Sequence, residues 1–130
     1  MKSFFDYGVN VSSHSDYPAL SGSPDDPFGI MEITVTGVYY PEKSKPWWSE
    51  ELLTREQALT ALTINCAKQM FIEDERGSIS KGKYADFLLV DKDVLTCPVT
   101  EIPRLSLKLP SSRERKYSLS HNGYSAMIVV

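Results

Sequence analysis

The feature that most constrains the fold is the stretch of residues 77–91, which begins with Gly77 and has a second glycine, Gly82, before an apolar run. Its run Phe87–Val90 is apolar without alternation, which is typical of a strand covered on both faces. Gly82 precedes that run and supplies a turn, because glycine adopts positive φ at no steric cost. The stretch therefore predicts a hairpin in the core: a short strand, a glycine turn and a buried strand.

Length and composition restrict the class of protein. A chain of 130 residues, 42% hydrophobic and 24% charged, has the values of one ordinary globular domain or of pieces of two. A net charge of −3 argues against a nucleic-acid or anionic membrane partner, since such surfaces need clustered Lys and Arg. No apolar run has signal-peptide or membrane length, and Cys66 and Cys97 lack the spacing of a metal site. The sequence predicts a soluble, cytoplasmic chain with reduced thiols.

Helix and strand signals mark the first third of the chain. Residues 2–7 look like the end of a helix that Gly8 stops, and residues 9–13 alternate like a strand. Asp26 and Pro27 form an N-cap and first-turn pair. The β-branched residues that follow could equally favour a strand. Because the N-cap and first-turn pair is typical of a helix start, we predict a helix.

A polar loop and a second capped helix follow. Residues 41–51 predict a loop, in which Trp47 and Trp48 could line a pocket but are predicted to pack over the core as a plug. Thr54 and Gln57 have the spacing of a capping box, which predicts a helix from this point.

The rest of the chain carries weaker signals. Asn65 is predicted to cap a short second helix that runs through Phe71. Weak strand signals occur at residues 105–109 and 126–130, with a disordered segment predicted between them.

The candidate catalytic residue is Asp16, which follows the predicted strand 9–13. A carboxylate at the mouth of a strand can bind a metal or move a proton from a metal-bound water, but an Asp in a loop is also typical of an Asx-turn. His14, two positions earlier, is interpreted as a strand residue bonded to backbone. Asp86 is interpreted as a cap bonded to turn amides, and Lys83 as a solvent-facing turn residue like Lys81.

Three segments, in order, resemble the amidohydrolase superfamily. Residues 77–91 are similar to its "GSI..GK.ADFVVLD" segment, and residues 53–67 to its "LT.EEAL...T.N.A" helices. Residues 9–18 look like the last barrel strand and its "SD.P" end in the amidohydrolase family 3 branch, which includes the YtcJ-like and formamide-deformylase-like proteins. Departures from the pattern include Phe71-Ile72 in place of a usual "LG".

The resemblance implies an α+β fold that is the C-terminal fragment of a metal-dependent hydrolase. Residues 1–72 would be the last strand and C-terminal helices of a TIM-type β/α barrel. Residues 73–103 would form part of a composite β-sandwich domain, and residues 104–130 a divergent, partly disordered tail. Asp16 falls on the family aspartate that binds the metal and shuttles the proton of the attacking water, so the resemblance makes it both the catalytic and the metal-binding residue.

The same resemblance limits what this chain can do alone. The family's His-x-His, its bridging lysine or carboxylate and its two later histidines would precede Met1 and are not in the sequence. We therefore expect a C-terminal part of an amidohydrolase for C–N bonds in small amide-like substrates, with zinc or another divalent metal in the full-length family and no activity alone. Its exposed edges would be covered by the missing barrel portion or in a homo-oligomer. The alternative is a non-catalytic interaction or oligomerisation module that retains the scaffold.

Overall fold

A computed structural model describes residues 1–16, 26–38, 48–84, 86–105, 107–108 and 126–129, with backbone only for the last two segments. The helices and strands, in chain order, are α1 (Lys2–Asp6), α2 (Pro27–Thr36), a 3₁₀ helix (Ser49–Glu51), α3 (Arg55–Leu62), α4 (Ile64–Gln69), β1 (Phe87–Val90), a second 3₁₀ helix (Val99–Arg104), β2 (Leu107–Lys108) and β3 (Ala126–Val129). The mixed α and β content agrees with the predicted class, whereas the described residues contain no closed barrel.

The described sheet has three antiparallel strands in the order β2-β1-β3. Leu89 of β1 lies opposite Lys108 of β2, and Leu88 lies opposite Ile128 of β3. The predicted strand β1 and the two weak tail strands are thus confirmed. The predicted burial of β1 on both faces is wrong, because only Val90 of the four residues is buried, and the hairpin within residues 77–91 is wrong as well. The first half of this stretch forms turns instead of a strand, and Gly77 and Gly82 have φ of 82° and 96° there. Strand β1 therefore has no neighbour in this stretch and pairs with the tail.

The turn segment before β1 is held by two basic side chains. The Lys83 ammonium donates to the carbonyl oxygen of Glu73, to that of Arg76 at 3.4 Å and to the Ser78 hydroxyl at 2.8 Å. Asp86 forms an ion pair with Arg76. The predictions of a solvent-facing Lys83 and of Asp86 bonded to turn amides are therefore wrong, because both side chains have ionic or charge-assisted partners nearby in the chain.

The buried core lies where α2 packs against α3 and the second 3₁₀ helix. Local caps set both α-helices: Asp26 accepts from the Gly29 amide at 3.0 Å, and Thr54 forms the predicted capping box with Gln57. The core is formed by buried side chains from these elements, β1 and the connecting loop, namely Phe28, Met31, Leu53, Ala58, Ala61, Val90, Val94, Cys97, Ile102 and Leu105. This apolar cluster supplies the main driving force for the arrangement.

The loop before α3 is anchored by an ionic contact. The Met1 ammonium donates to the Glu51 carboxylate at 2.6 Å and to the Glu51 carbonyl at 3.2 Å. The bond from the Met1 ammonium to the Glu51 carboxylate, together with the bonds that Ser3 donates to the same carboxylate, lowers the pKa of Glu51 to about 2. Trp48 is 71% exposed, so its predicted role as a plug over the core is wrong, while Trp47 lies outside the described residues.

Helix α4 ends in a backbone motif that favours glycine. The Ile72 amide donates to the Ala67 carbonyl at 3.0 Å and the Phe71 amide to that of Lys68 at 3.2 Å, the two bonds of a Schellman motif. Phe71 adopts a φ of 59° there, and its side chain is 90% exposed. The helix thus ends at Gln69, two residues earlier than predicted, with a strained aromatic residue at its stop.

Replacing Phe71 with glycine is expected to raise the free energy of unfolding by about 1 kcal/mol. Glycine relieves the left-handed strain, and this relief exceeds the added entropy of the unfolded chain. The control is Met70→Gly, at φ of −90°, which should lower stability by about 0.5–1 kcal/mol. Urea denaturation measures the free energy of unfolding of both variants. If Phe71→Gly is less stable than the unmodified chain, the proposed backbone strain at Phe71 is wrong.

Candidate functional site

The segment that leads to Asp16 is tied to helices and not to a sheet. Residues 9–15 form no strand, so the predicted strand 9–13 is wrong. Among the described residues no strand pairs with this segment, and its backbone groups bond to helices α1, α3 and α4 instead. The Ser13 amide donates to the Ala61 carbonyl at 3.1 Å, which fixes the chain three residues before Asp16.

Asn65 is the main tether of this segment. Its side-chain amide donates to the Val11 carbonyl at 2.9 Å, and its backbone carbonyl accepts from the Asn10 side chain at 3.1 Å. Asn65 is only 5% exposed, and the Ser12 hydroxyl adds a bond to Gln69 one turn further along α4. A buried polar group with satisfied bonds fixes its neighbours strongly, because leaving it unpaired is costly.

The predicted role of Asn65 as a helix cap is therefore wrong. The N-cap position of α4 is Thr63, and Asn65 lies within the helix. The sequence contains no direct signal for the tether, because Thr63 separates α3 from α4 and the bond from Asn65 to Val11 joins residues 54 positions apart.

Asp16 follows the tethered segment in a turn. Its φ is 50°, a left-handed conformation that Asp adopts more readily than most residues. Its amide donates to Nδ1 of His14 at 3.0 Å, and both side chains are exposed. The predicted carboxylate is thus accessible, and the histidine that precedes it bonds to backbone as interpreted, although outside a strand.

The described residues do not fit a complete metal site. Across the described ranges, no group of three or more His, Cys, Asp or Glu side chains could hold a metal ion. Asp16 offers a carboxylate, while Nδ1 of the adjacent His14 already accepts a hydrogen bond. Zinc sites need three or four such ligands, so any metal that uses Asp16 requires ligands from elsewhere.

Large apolar side chains are exposed around the N-terminal helix. Phe4, Tyr7 and Val9 of this segment are all at least half exposed.

Further into the chain, an apolar cavity of about 50 Å³ lies between α2, α3 and β1, with Phe28, Leu59 and Leu88 in its walls. The cavity offers no catalytic group. Each helix in the described ranges falls short of the length and apolar content that a membrane span requires.

Comparison with known proteins identifies the family. The model of the amidohydrolase family matches residues 1–114, a span that contains Asp16, the tether and β1. The chain belongs to the amidohydrolase family. The resemblance to family 3 is confirmed by a relative, the N-substituted formamide deformylase of Arthrobacter pascens, which is 32% identical over 109 residues.

The matched relatives are much longer than this chain. The 109 residues make up 82% of this chain and 19% of the deformylase. Imidazolonepropionase from Shewanella sp. strain W3-18-1 is 59% identical over 39 residues, 30% of this chain and 10% of that protein. The imidazolonepropionase of Shewanella oneidensis is 57% identical over 37 residues, 28% of this chain and 9% of that protein. No solved structure gives a significant match.

Proposed function

We propose that this chain is the C-terminal part of a metal-dependent amidohydrolase that cleaves C–N bonds of small amide-like substrates. The observation that carries the proposal is the family match over residues 1–114. The name of the deformylase relative supports the substrate class. The contribution of this chain is the Asp16 carboxylate, which is accessible and follows a segment tethered by Asn65. Asp16 would bind the metal and move a proton of the attacking water.

The remaining ligands of a divalent metal, with zinc expected for the full-length family, would come from a preceding barrel portion. Asp16 alone gives one carboxylate, too few ligands for a zinc site. The exposed side chains of Phe4, Tyr7 and Val9 support a partner at this end of the chain, because grouped exposed apolar residues mark interaction surfaces. We propose that the partner is the missing barrel portion or a second copy, and that the isolated chain is inactive.

A complementation assay tests the proposed activity. The deformylase of Arthrobacter pascens, truncated before its aligned segment, is coexpressed with this chain and assayed on N-substituted formamides with added zinc. We expect turnover from the complex and none above background from this chain alone. Asp16→Ala should reduce the turnover of the complex by at least about a thousandfold, in the range of losses from removing an essential catalytic group.

The matched control is Asp74→Ala, at another exposed aspartate, which should leave turnover unchanged. Equal activity of the Asp16→Ala and unmodified complexes would overturn the catalytic role. Substantial turnover by the isolated chain would contradict the proposal that the remaining metal ligands come from a preceding barrel portion.

The same exposed apolar surface favours a second candidate, a non-catalytic interaction or oligomerisation module. Such a protein would bind the truncated deformylase or itself through Phe4, Tyr7 and Val9. Asp16→Ala would then leave binding intact and the complex would show no hydrolysis. Binding measured by sedimentation beside the turnover assay separates the two candidates.

The proposed location is the cytoplasm. Cys66 and Cys97 are free thiols, one half-buried and one buried. Free thiols persist in a reducing compartment, which supports this location.

A further inference from the structure

His14 closes a small turn on the backbone of the candidate catalytic residue. Its Nδ1 atom accepts a hydrogen bond from the Asp16 amide at 3.0 Å. The bond runs from a side chain to the amide two residues later, the relation found in Asx-turns. An Nδ1 atom that accepts a bond carries no proton, so the neutral ring has its proton on Nε2.

This turn connects Asp16 to the rigid part of the molecule. Ser13, the residue before His14, is bonded through its amide to Ala61 of α3. Val11 is bonded to the buried Asn65. The helix tether therefore ends next to His14, and the imidazole bond spans the two remaining residues to Asp16. A chain of restraints thus runs from the helices to the candidate carboxylate.

The restraint acts on a backbone conformation that needs support. Asp16 has a φ of 50°, in the left-handed region that L residues occupy at an energetic cost. The direction of the Cα–Cβ bond, and hence of the carboxylate, depends on that φ. Without an acceptor at position 14, the Asp16 amide can turn to water and the backbone can relax to negative φ.

We propose that His14 is a positioning residue that holds the Asp16 backbone in its left-handed conformation and thereby aims the carboxylate at the reacting centre. This inference rests on the proposed function for its consequence in catalysis. The structural part concerns this chain alone. In this role the exposed imidazole acts as a hydrogen-bond acceptor for the Asp16 amide.

Two substitutions of His14 distinguish the effect of its hydrogen-bond acceptor from the effect of the imidazole ring. In His14→Asn, the side-chain oxygen can accept from the amide two residues on, as in an Asx-turn, so the turn should persist. In His14→Ala, no side-chain acceptor remains. Both changes are at an exposed residue and should leave the fold intact, which circular dichroism and the melting temperature will verify.

The first measurement uses NMR on the isolated chain. The coupling between the amide and α protons of Asp16 reports its φ, and amide exchange reports its hydrogen bond. We expect His14→Ala to shift the coupling and to accelerate exchange several-fold, whereas His14→Asn should resemble the unmodified chain. An unchanged coupling in His14→Ala would overturn the positioning role whatever the activity assay shows.

The second measurement uses the reconstituted complex with the truncated deformylase. Misplacing a catalytic group by about 1 Å can reduce a rate about a hundredfold, so His14→Ala should lower kcat by about tenfold to a hundredfold with little change in KM. His14→Asn should restore most of kcat. An NMR shift in His14→Ala with unchanged kcat would also overturn the proposal.

The two proposals fail in different ways. If Asp16→Ala leaves turnover intact, the proposed function fails while the NMR comparison of the His14 variants stands. If Asp16→Ala abolishes turnover and His14→Ala does not alter the Asp16 coupling, the function stands and the positioning role fails.

Discussion

Replacing Gly77 with alanine is expected to lower the free energy of unfolding by about 2–5 kcal/mol. Gly77 has a φ of 82°, where a side chain costs about 1–2 kcal/mol. A Cβ added there would also lie 2.7 Å from the Ala67 Cβ and 2.9 Å from the Ile64 Cα. Both atoms belong to α4 and cannot rotate away, so overpacking adds about 1–3 kcal/mol. Equilibrium urea denaturation measures the loss.

Gly82→Ala is the matched control for this prediction. Gly82 also has positive φ, 96°, but a Cβ added there meets no atom within 4 Å. Its substitution should cost only the conformational part, about 1–2 kcal/mol. The difference between the variants isolates the close packing of the turn segment on α4. Equal losses for the two variants would show that this packing contributes nothing.

Local signals in the sequence were sufficient where a few neighbouring residues determine the structure. The pair Asp26 and Pro27 and the capping box of Thr54 fix helix starts through bonds that span three residues. The apolar run Phe87–Val90 is a strand for the same reason, since its own composition favours one. Such features need no knowledge of the rest of the fold.

Partners distant in the chain could not be predicted in the same way. Strand β1 pairs with two segments of the tail, and the choice depends on contacts between residues up to about forty positions apart. The hairpin prediction assumed a neighbour because adjacent strands usually pair. Likewise residues 9–13 alternate like a strand, yet a strand requires a ladder partner that the described residues do not supply.

The candidate site was partly accessible from the sequence. Asp16 was predicted from its resemblance to a family motif, and its catalytic role stays a prediction; the structure shows that the side chain is exposed. The tether was missed, because the bond from Asn65 to Val11 joins residues 54 positions apart. A backbone bond of His14 was expected, but its partner, the Asp16 amide two residues later, was not, because His14 was interpreted as a strand residue.

The substitution Asn65→Asp is expected to be the most damaging change at the tether, with a loss of about 3–5 kcal/mol at pH 7. It preserves shape, but it replaces the amide that donates to Val11 at 2.9 Å with a carboxylate oxygen facing that carbonyl. The new charge is buried and lacks a donor on this side. Helix α4 favours a negative charge near its start by only about 0.3–1 kcal/mol, too little to offset the loss.

The loss should depend on pH with a defined sign. Burial and the facing carbonyl raise the pKa of the introduced carboxyl above its unfolded value of about 3.9. The penalty is therefore smallest below about pH 4, where the acid is protonated in both states and can donate to Val11, and it grows as pH rises towards the folded pKa. Urea denaturation of this variant at pH 4 and pH 7, each relative to the unmodified chain, measures the effect.

The control places the same substitution on the exposed side of the tether. The Asn10 side chain donates to the Asn65 carbonyl at 3.1 Å, and Asn10 is exposed. Water can solvate the new charge there, so Asn10→Asp should cost about 1 kcal/mol or less with little dependence on pH. Equal losses at the two positions would contradict a buried tether at Asn65. A larger, pH-dependent loss at Asn65 alone would show that the segment carrying Asp16 is fixed by one buried amide.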